Sequence, residues 1–268
     1  MSTDLSATPR TRFSIGRVLK DTFGVLRVNL LICATVAVVC IVLWQIAAKF
    51  ADDPSTEEFN WWNFTVGELW RCILGGFATA ALTYALLLTL SGGKPSYRDL
   101  VRGLSFAIPI MVVFFIDDLP SMISSLLGVP DSVHDRIIVV RIAVSIASYV
   151  LSVLWFAAAP AVVAEGLGPI AALRRSIFLT ADRRWPIFGL IFAGGFVFAA
   201  LGMAMASIAN AVNVEVGHKG PNLISWIGDY VLPAIVLVFW TAAQTVMYCA
   251  LRLAKEGAGV QELARVFD

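Results

Sequence analysis

The chain has 268 residues, 59% of them hydrophobic and only 15% charged, with a net charge of +1 and a mean hydropathy of +0.81. A water-soluble domain carries about 45–50% apolar and about 25% charged residues, so the surplus apolar surface excludes water as the solvent and calls for lipid. Net charge gives no basis for a nucleic-acid partner, and two distant histidines, His134 and His218, remove most histidine-rich metal sites.

Residues 1–12 are polar, with Pro9, Arg10 and Arg12, and read as a disordered cytoplasmic tail. After Ser14, the residues Ile15, Val18, Leu19, Thr22, Phe23 and Leu26 recur at helical spacing, with Arg17, Lys20 and Arg27 off that face. This is the pattern of an amphipathic helix lying in the membrane interface. A first span is predicted at residues 28–48. Its apolar run exceeds the roughly 7–15 residues of a signal-peptide core, so it reads as an uncleaved helix. An acidic segment, 52–63, leads to Trp61, Trp62 and Phe64, which suit the headgroup level. The second span is predicted at 70–90, closed by Gly92-Gly93 and Lys94-Pro95.

Residues 96–103 form a basic lead-in with Arg98 and Arg102, and the third span is predicted at 100–116. Asp117-Asp118-Leu119-Pro120 then admits two readings. The helix ends there and Asp118 caps a short interfacial helix, 119–127, with Pro120 in its first turn. Alternatively, 104–127 is one broken span holding two intramembrane carboxylates, groups that are costly in lipid and usually functional. An outer loop, 129–135, precedes the fourth span at 137–164. Arg141, just inside its outer end, is placed to snorkel to the interface or to pair with Asp117 or Asp118.

Glu165 to Leu190 is the stretch richest in signals. Gly166, Gly168 and Pro169 suit a tight turn after Glu165, with Pro169 in the first turn of a new helix. Ile170, Leu173 and Ile177 are expected on one side of it, with Arg174, Arg175 and Ser176 elsewhere. Arg174, Arg175, Arg183 and Arg184 are candidates for contact with anionic lipid headgroups, and Glu165 for neutralising Arg174 or capping the helix. The fifth span is predicted at 187–212, with Gly195, Ala199, Gly202 and Ala206 near one face, a helix-packing signal. An outer loop, 213–222, leads to the sixth span at 225–251, which contains Asp229, Pro233 and Gln244.

The four cysteines, Cys33, Cys40, Cys72 and Cys249, lie in or beside apolar runs without C-x-x-C spacing and are expected as packed thiols. Of the 20 Lys and Arg residues, 15 fall on the side of the N-terminus if six spans are counted, which predicts both termini in the cytoplasm. The architecture expected is therefore all-α: a polytopic membrane helix bundle of about six transmembrane helices over 13–252, between tails 1–12 and 253–268. Three times a basic amphipathic lead-in precedes two spans, at 13–27, 96–103 and 169–181, so three repeated hairpins are an expectation as well.

Glu165-Gly166-x-Gly168-Pro169, Ala172-Leu173-Arg174-Arg175-Ser176, Leu179-Thr180 and Arg184-Trp185-x-Ile187-Phe188-Gly189-Leu190 give the stretch a further meaning. With Phe13-Ser14-x-Gly16 and Asp21-Thr22-Phe23, it resembles the membrane domain of some glycerophosphoryl diester phosphodiesterases and related stand-alone bacterial multi-pass membrane proteins. The resemblance implies a bacterial inner-membrane protein. It does not imply the activity, because phosphodiesterase catalysis resides in a separate soluble barrel for which the apolar spans leave no length.

Three functions are open to such a chain; the first is the expectation and the second its alternative. A non-enzymatic scaffold or accessory protein would touch anionic lipid at the cytoplasmic face, with a membrane-protein partner or a second copy beside it. A small-solute transporter or permease would use Asp117, Asp118, Arg141, Asp229 and Gln244 inside the membrane. An intramembrane enzyme would need a nucleophile with its base, H-E-x-x-H or a phosphate-binding glycine loop, and the sequence shows none of these. No enzyme activity and no cofactor are expected. A hydrated cavity reaching Asp117 or Asp229 separates transport from scaffold.

Overall fold

The computed structural model describes residues 14–51, 61–126, 134–216 and 222–257, and these are helical throughout apart from short turns. The expected tail 1–12, residues 258–268 and most of the loops, with His218, lie outside the described residues, while 253–256 of the expected second tail continue the last helix. The order is α1 (Ile15–Val28), α2 (Leu30–Ala51), α3 (Trp61–Leu90), α4 (Tyr97–Gly103), a 3-10 turn (Leu104–Phe106), α5 (Ala107–Leu126), α6 (His134–Trp155), α7 (Ala158–Glu165), α8 (Pro169–Thr180), α9 (Arg184–Val216), α10 (Leu223–Trp226), a π turn (Ile227–Val231) and α11 (Leu232–Glu256). Among the described residues, Leu69–Leu90, Tyr97–Pro120, Ile142–Glu165, Arg184–Asn213 and Leu223–Glu256 are long and apolar enough to cross a membrane. The pair α1 and α2, bent by 84°, raises the number from 5 to 6 if taken as one span.

The first bend follows from composition. α1 buries Val18, Thr22 and Val25, a stripe at helical spacing that packs on α11. α2 is apolar all round, so the two helices suit different surroundings. Asn29 sits at the corner, nearly fully buried. Its Nδ2 donates to the Val25 carbonyl at 2.8 Å, and its Oδ1 accepts from Thr89 Oγ1 at 3.0 Å, so one amide closes α1 and ties it to the end of α3.

The fourth span is not continuous. Pro160 has no N–H, and its ring crowds the carbonyl four residues back, that of Phe156. The chain accordingly breaks at Phe156 and Ala157, between α6 and α7. α8 repairs the break with one hydroxyl. Ser176 Oγ donates to the Leu154 carbonyl at 2.8 Å and accepts from the Ala157 N–H at 3.0 Å. The packed face of α8 is therefore Ala172, Leu173, Ser176, Leu179 and Thr180, not the expected Ile170, Leu173 and Ile177; Ile170 is 63% exposed.

The hairpins pack in cyclic order. α2 lies against α3 and α11; α5 lies against α6 and α3; α9 lies against α6 and the π turn. The lead-ins follow the same order, with α1 on α11, α4 on α3, and α8 on α6 and α7. α4 differs in geometry, because it runs through the 3-10 turn into α5 as part of the span Tyr97–Pro120 rather than lying across it. The approach is close: a Cβ on Gly103 would stand 2.9 Å from the Ala80 carbonyl oxygen and the Ala81 Cα. α9 is the loosest member, and its Ala199 and Ala206 are exposed rather than packed within the chain.

The third expected span also changes. α5 continues through Asp117 and Asp118 with Pro120 inside it, so the capped interfacial helix does not form; one element does hold both carboxylates, as the second reading expects, but without the break. Interrupting the helix there would strand backbone groups in an apolar setting.

The helix break supplies a test. Ser176→Ala leaves a buried N–H and carbonyl without their partner and is expected to lower stability in detergent by about 1–3 kcal/mol. Ser148→Ala, which removes only a bond to its own helix at Val144, is the control. Equal unfolding midpoints for the two variants would refute the role given to Ser176.

Candidate functional site

Two polar groups of different character occupy the two ends of the bundle. The first is the stretch from Glu165 to Leu190. Glu165 ends α7, Gly166 follows in the left-handed region at φ 64°, Gly168 is extended, and Pro169 opens α8. Glycine fits the left-handed position without steric cost, and proline suits the first helical turn, so this turn is as expected.

Its arginines divide. Arg175 Nε donates to both oxygens of Glu165, at 2.8 and 2.9 Å, and its Nη2 donates to Glu256 Oε2 at 2.8 Å. Tyr248 donates its hydroxyl to Glu165 Oε1 at 2.6 Å, and Arg252 reaches Glu256 at 3.3 Å. Glu165 thus pairs with Arg175, not Arg174, and the network joins α7, α8 and α11. The bond to Glu256 leads in raising the Arg175 guanidinium above its ordinary value, with Glu165 adding to it. Lys255 extends the contact, pairing with Asp182 at 3.1 Å and lying 4.2 Å from the Phe178 ring centre. Arg174, Arg183 and Arg184 are exposed, beside a Trp185 that is 83% exposed.

The second group lies toward the other end. A cavity of about 700 Å³ opens between α2, α3, α5, α9 and the π turn with α11. Asp117, Asp118, Asp229 and Gln244, four of the residues singled out in the sequence, all line it. So does Arg71, which pairs with Asp118 at 3.5 Å, and Cys72, whose Sγ lies 3.7 Å from the same carboxylate. Asp117 accepts from Ser152 at 3.4 Å. It also borders a smaller void of about 130 Å³ with Ser152, Trp155 and Gln244. Arg141 falls on α6, and its side chain lies outside the described residues; the recorded cationic partner of the acidic pair is Arg71.

Asp229 owes its place to Pro233. Without an N–H on Pro233, the Asp229 carbonyl lacks its helical partner, and the chain widens into a π turn at that point. The remaining lining is largely apolar, with the rings of Trp44, Phe114, Phe198, Tyr230 and Trp240 among aliphatic and small residues. Three cysteines are buried as expected and Cys40 is half-buried. Among the described residues, no group of three His, Cys, Asp or Glu side chains is placed to hold a metal ion.

Arg71, Ser152, Tyr248 and Glu256 were not legible as partners. Arg71 carried one signal, a cation next to Trp70 at the start of an apolar run, which in lipid calls for a counter-charge. The fold and composition define a multi-pass α-helical membrane protein. Compared with family models, with curated proteins and with solved structures, the chain finds no match in any of the three. Geometry and charge carry the functional reading.

The Glu165–Arg175 pair is testable by a double-mutant cycle. Glu165→Ala and Arg175→Ala are each expected to lower stability in detergent by about 1.5–3 kcal/mol, since both side chains are largely withdrawn from water. The double variant is expected to lose less than the sum. Additive losses would mean that the two side chains do not interact.

Proposed function

We propose that the chain is a small-solute carrier of the membrane, with the cavity between α2, α3, α5, α9 and α11 as its binding chamber. The cavity is the observation that supports this reading. A scaffold needs only a filled bundle, whereas this one keeps about 700 Å³ open and lines it with three carboxylates, a guanidinium and an amide. Such groups are costly beside hydrocarbon and are retained where they face a solute or water. The volume falls in the roughly 300–1,000 Å³ range of small-molecule sites.

The two ends of the bundle support the same reading. Gln244 lies twelve residues before Glu256, about 18 Å along the helix. Met247 lies between them, and with Leu82, Leu86, Val162 and Val163 of the same packed core it is at most 1% exposed. The chamber is thus sealed toward the arginine end by packed side chains and by the Glu165–Arg175–Glu256 network. In this reading that end faces the cytoplasm, and the network is the contact that a carrier must open to release solute inward.

The test is accessibility from each side. In oriented membrane vesicles, Gln244→Cys is expected to take up a membrane-impermeant thiol reagent above the wild-type level. A carrier exposes this position alternately, so labelling is expected from both faces, faster from the face opposite the arginines. Labelling from one face alone would reduce the protein to a receptor or accessory protein, and no labelling would remove the hydrated chamber.

A second reading, contact with anionic lipid at the cytoplasmic face, is supported by the exposure of Arg174, Arg183 and Arg184 beside Trp185. It is compatible with transport. Anionic lipid retained on purification in mild detergent is expected to fall in an Arg174→Ala/Arg184→Ala variant. Unchanged lipid content would discard this contact.

A further inference from the structure

The chamber's charge and surface specify what it holds. Asp118 is paired with Arg71. Asp117 is held by the Ser152 hydroxyl, which carries no charge, and Asp229 projects from the π turn into the same space. Among the described residues no cation pairs with Asp117 or Asp229. The described lining therefore sets three carboxylates against one guanidinium, with Trp44, Phe114, Phe198, Tyr230 and Trp240 among its aliphatic and small side chains. Trp44, Trp240 and Tyr230 present the ring type that attracts a cation through its face.

Other solute classes fit less well. Among the described lining residues an anion would meet three carboxylates and one guanidinium, which Asp118 already engages. A lipid acyl chain would satisfy the apolar wall but bring no counter-charge to the partly buried Asp117, the costly state for a charge withdrawn from water. A small hydrated metal ion would use the carboxylates and waste the apolar wall, and the described residues do not gather a ligand set for one.

We infer that the solute is an amphipathic organic cation, an amine or quaternary centre on an apolar body, whose charge is met by Asp117 and Asp229 and whose body lies against Trp44 and Trp240. The inference rests on the carrier reading for the solute's passage, but its binding step can be tested by itself.

The probe is tetraphenylphosphonium, set against tetraphenylborate, an anion of nearly the same shape. Both are titrated into the full-length protein in detergent by equilibrium dialysis. Saturable binding of the cation, at least tenfold tighter than that of the anion, is expected. Asp117→Asn and Asp229→Asn are each expected to weaken the cation at least tenfold and to leave the anion unweakened. Equal binding of the two ions by the wild-type protein would overturn the inference without recourse to a variant, and would point to a greasy crevice or a lipid site. Undiminished cation binding in the Asp117→Asn/Asp229→Asn double variant would overturn it as well. Cation-selective binding with one-sided labelling of Gln244→Cys would keep the site and refute the carrier. Two-sided labelling without ion selectivity would do the reverse.

Discussion

A carbonyl or a carboxylate among hydrocarbon-facing helices has no water to turn to, and nearly every departure from regular helix here is an answer to that constraint. Where Pro160 disables the Phe156 carbonyl, Ser176 arrives from α8 and bonds on both sides of the break. Where α1 turns by 84° into α2, Asn29 supplies both an acceptor and a donor. Where Asp118 is held inside α5, Arg71 stands across from it on α3. These are bonds between elements, so satisfying local polar groups also fixes which helices are neighbours. The central bundle gains its order from polar contacts that apolar packing against lipid would not specify, since lipid tails are as apolar as the side chains.

The cyclic order of the hairpins explains why the cavity lies where it does. α2 and α5 are each wedged between their own partner and the inner helix of the preceding hairpin. α9 has the same place in the cycle but reaches α11 chiefly through rings, with Phe198 and Phe239 at 6.0 Å and the Trp240 ring 3.1 Å from where a Gly194 Cβ would stand. Large side chains at a helix contact keep the backbones apart. The third hairpin is thus propped open by its own aromatics, and the π turn at Ile227–Val231 adds width on the same side. The chamber is the space left by that hairpin.

What could be read from the sequence was what depends on near neighbours. The Gly166–Pro169 turn, most of the α1 face and five of the six expected spans follow from residues a few positions apart. On α1, Val25 is buried in addition and Phe23 is 60% exposed, and the first span counts only with α1 as a bent pair. Asp117-Asp118-Leu119-Pro120 misled because proline and a potential cap argue locally for a helix start, while continuity through an apolar layer argues against a break and prevails. Pro160 is a local signal of the other break: its offset of four from Phe156 marks the boundary between α6 and α7. The pairs Arg71–Asp118 and Glu165–Tyr248 join residues 47 and 83 positions apart, and no periodicity reports such meetings. Four of the five intramembrane polar candidates do converge on one cavity, because in lipid a polar residue has few places to face.

The arginine stretch illustrates how the same residue type divides its labour. Arg174 and Arg175 are adjacent, so on a helix their side chains point about 100° apart. That rotation alone sends Arg174 outward and Arg175 toward α7 and α11. The planar guanidinium of Arg175 can bridge Glu165 and Glu256 at once, which a lysine ammonium, a point charge, would do with less directional hold. The bridge ties α8 to α7 through Glu165 and to α11 through Glu256, and Tyr248 adds a bond from α11 to α7. The end of the bundle is thereby held by directional bonds that join α7, α8 and α11, because Arg175 alone of the adjacent pair is turned toward both carboxylates.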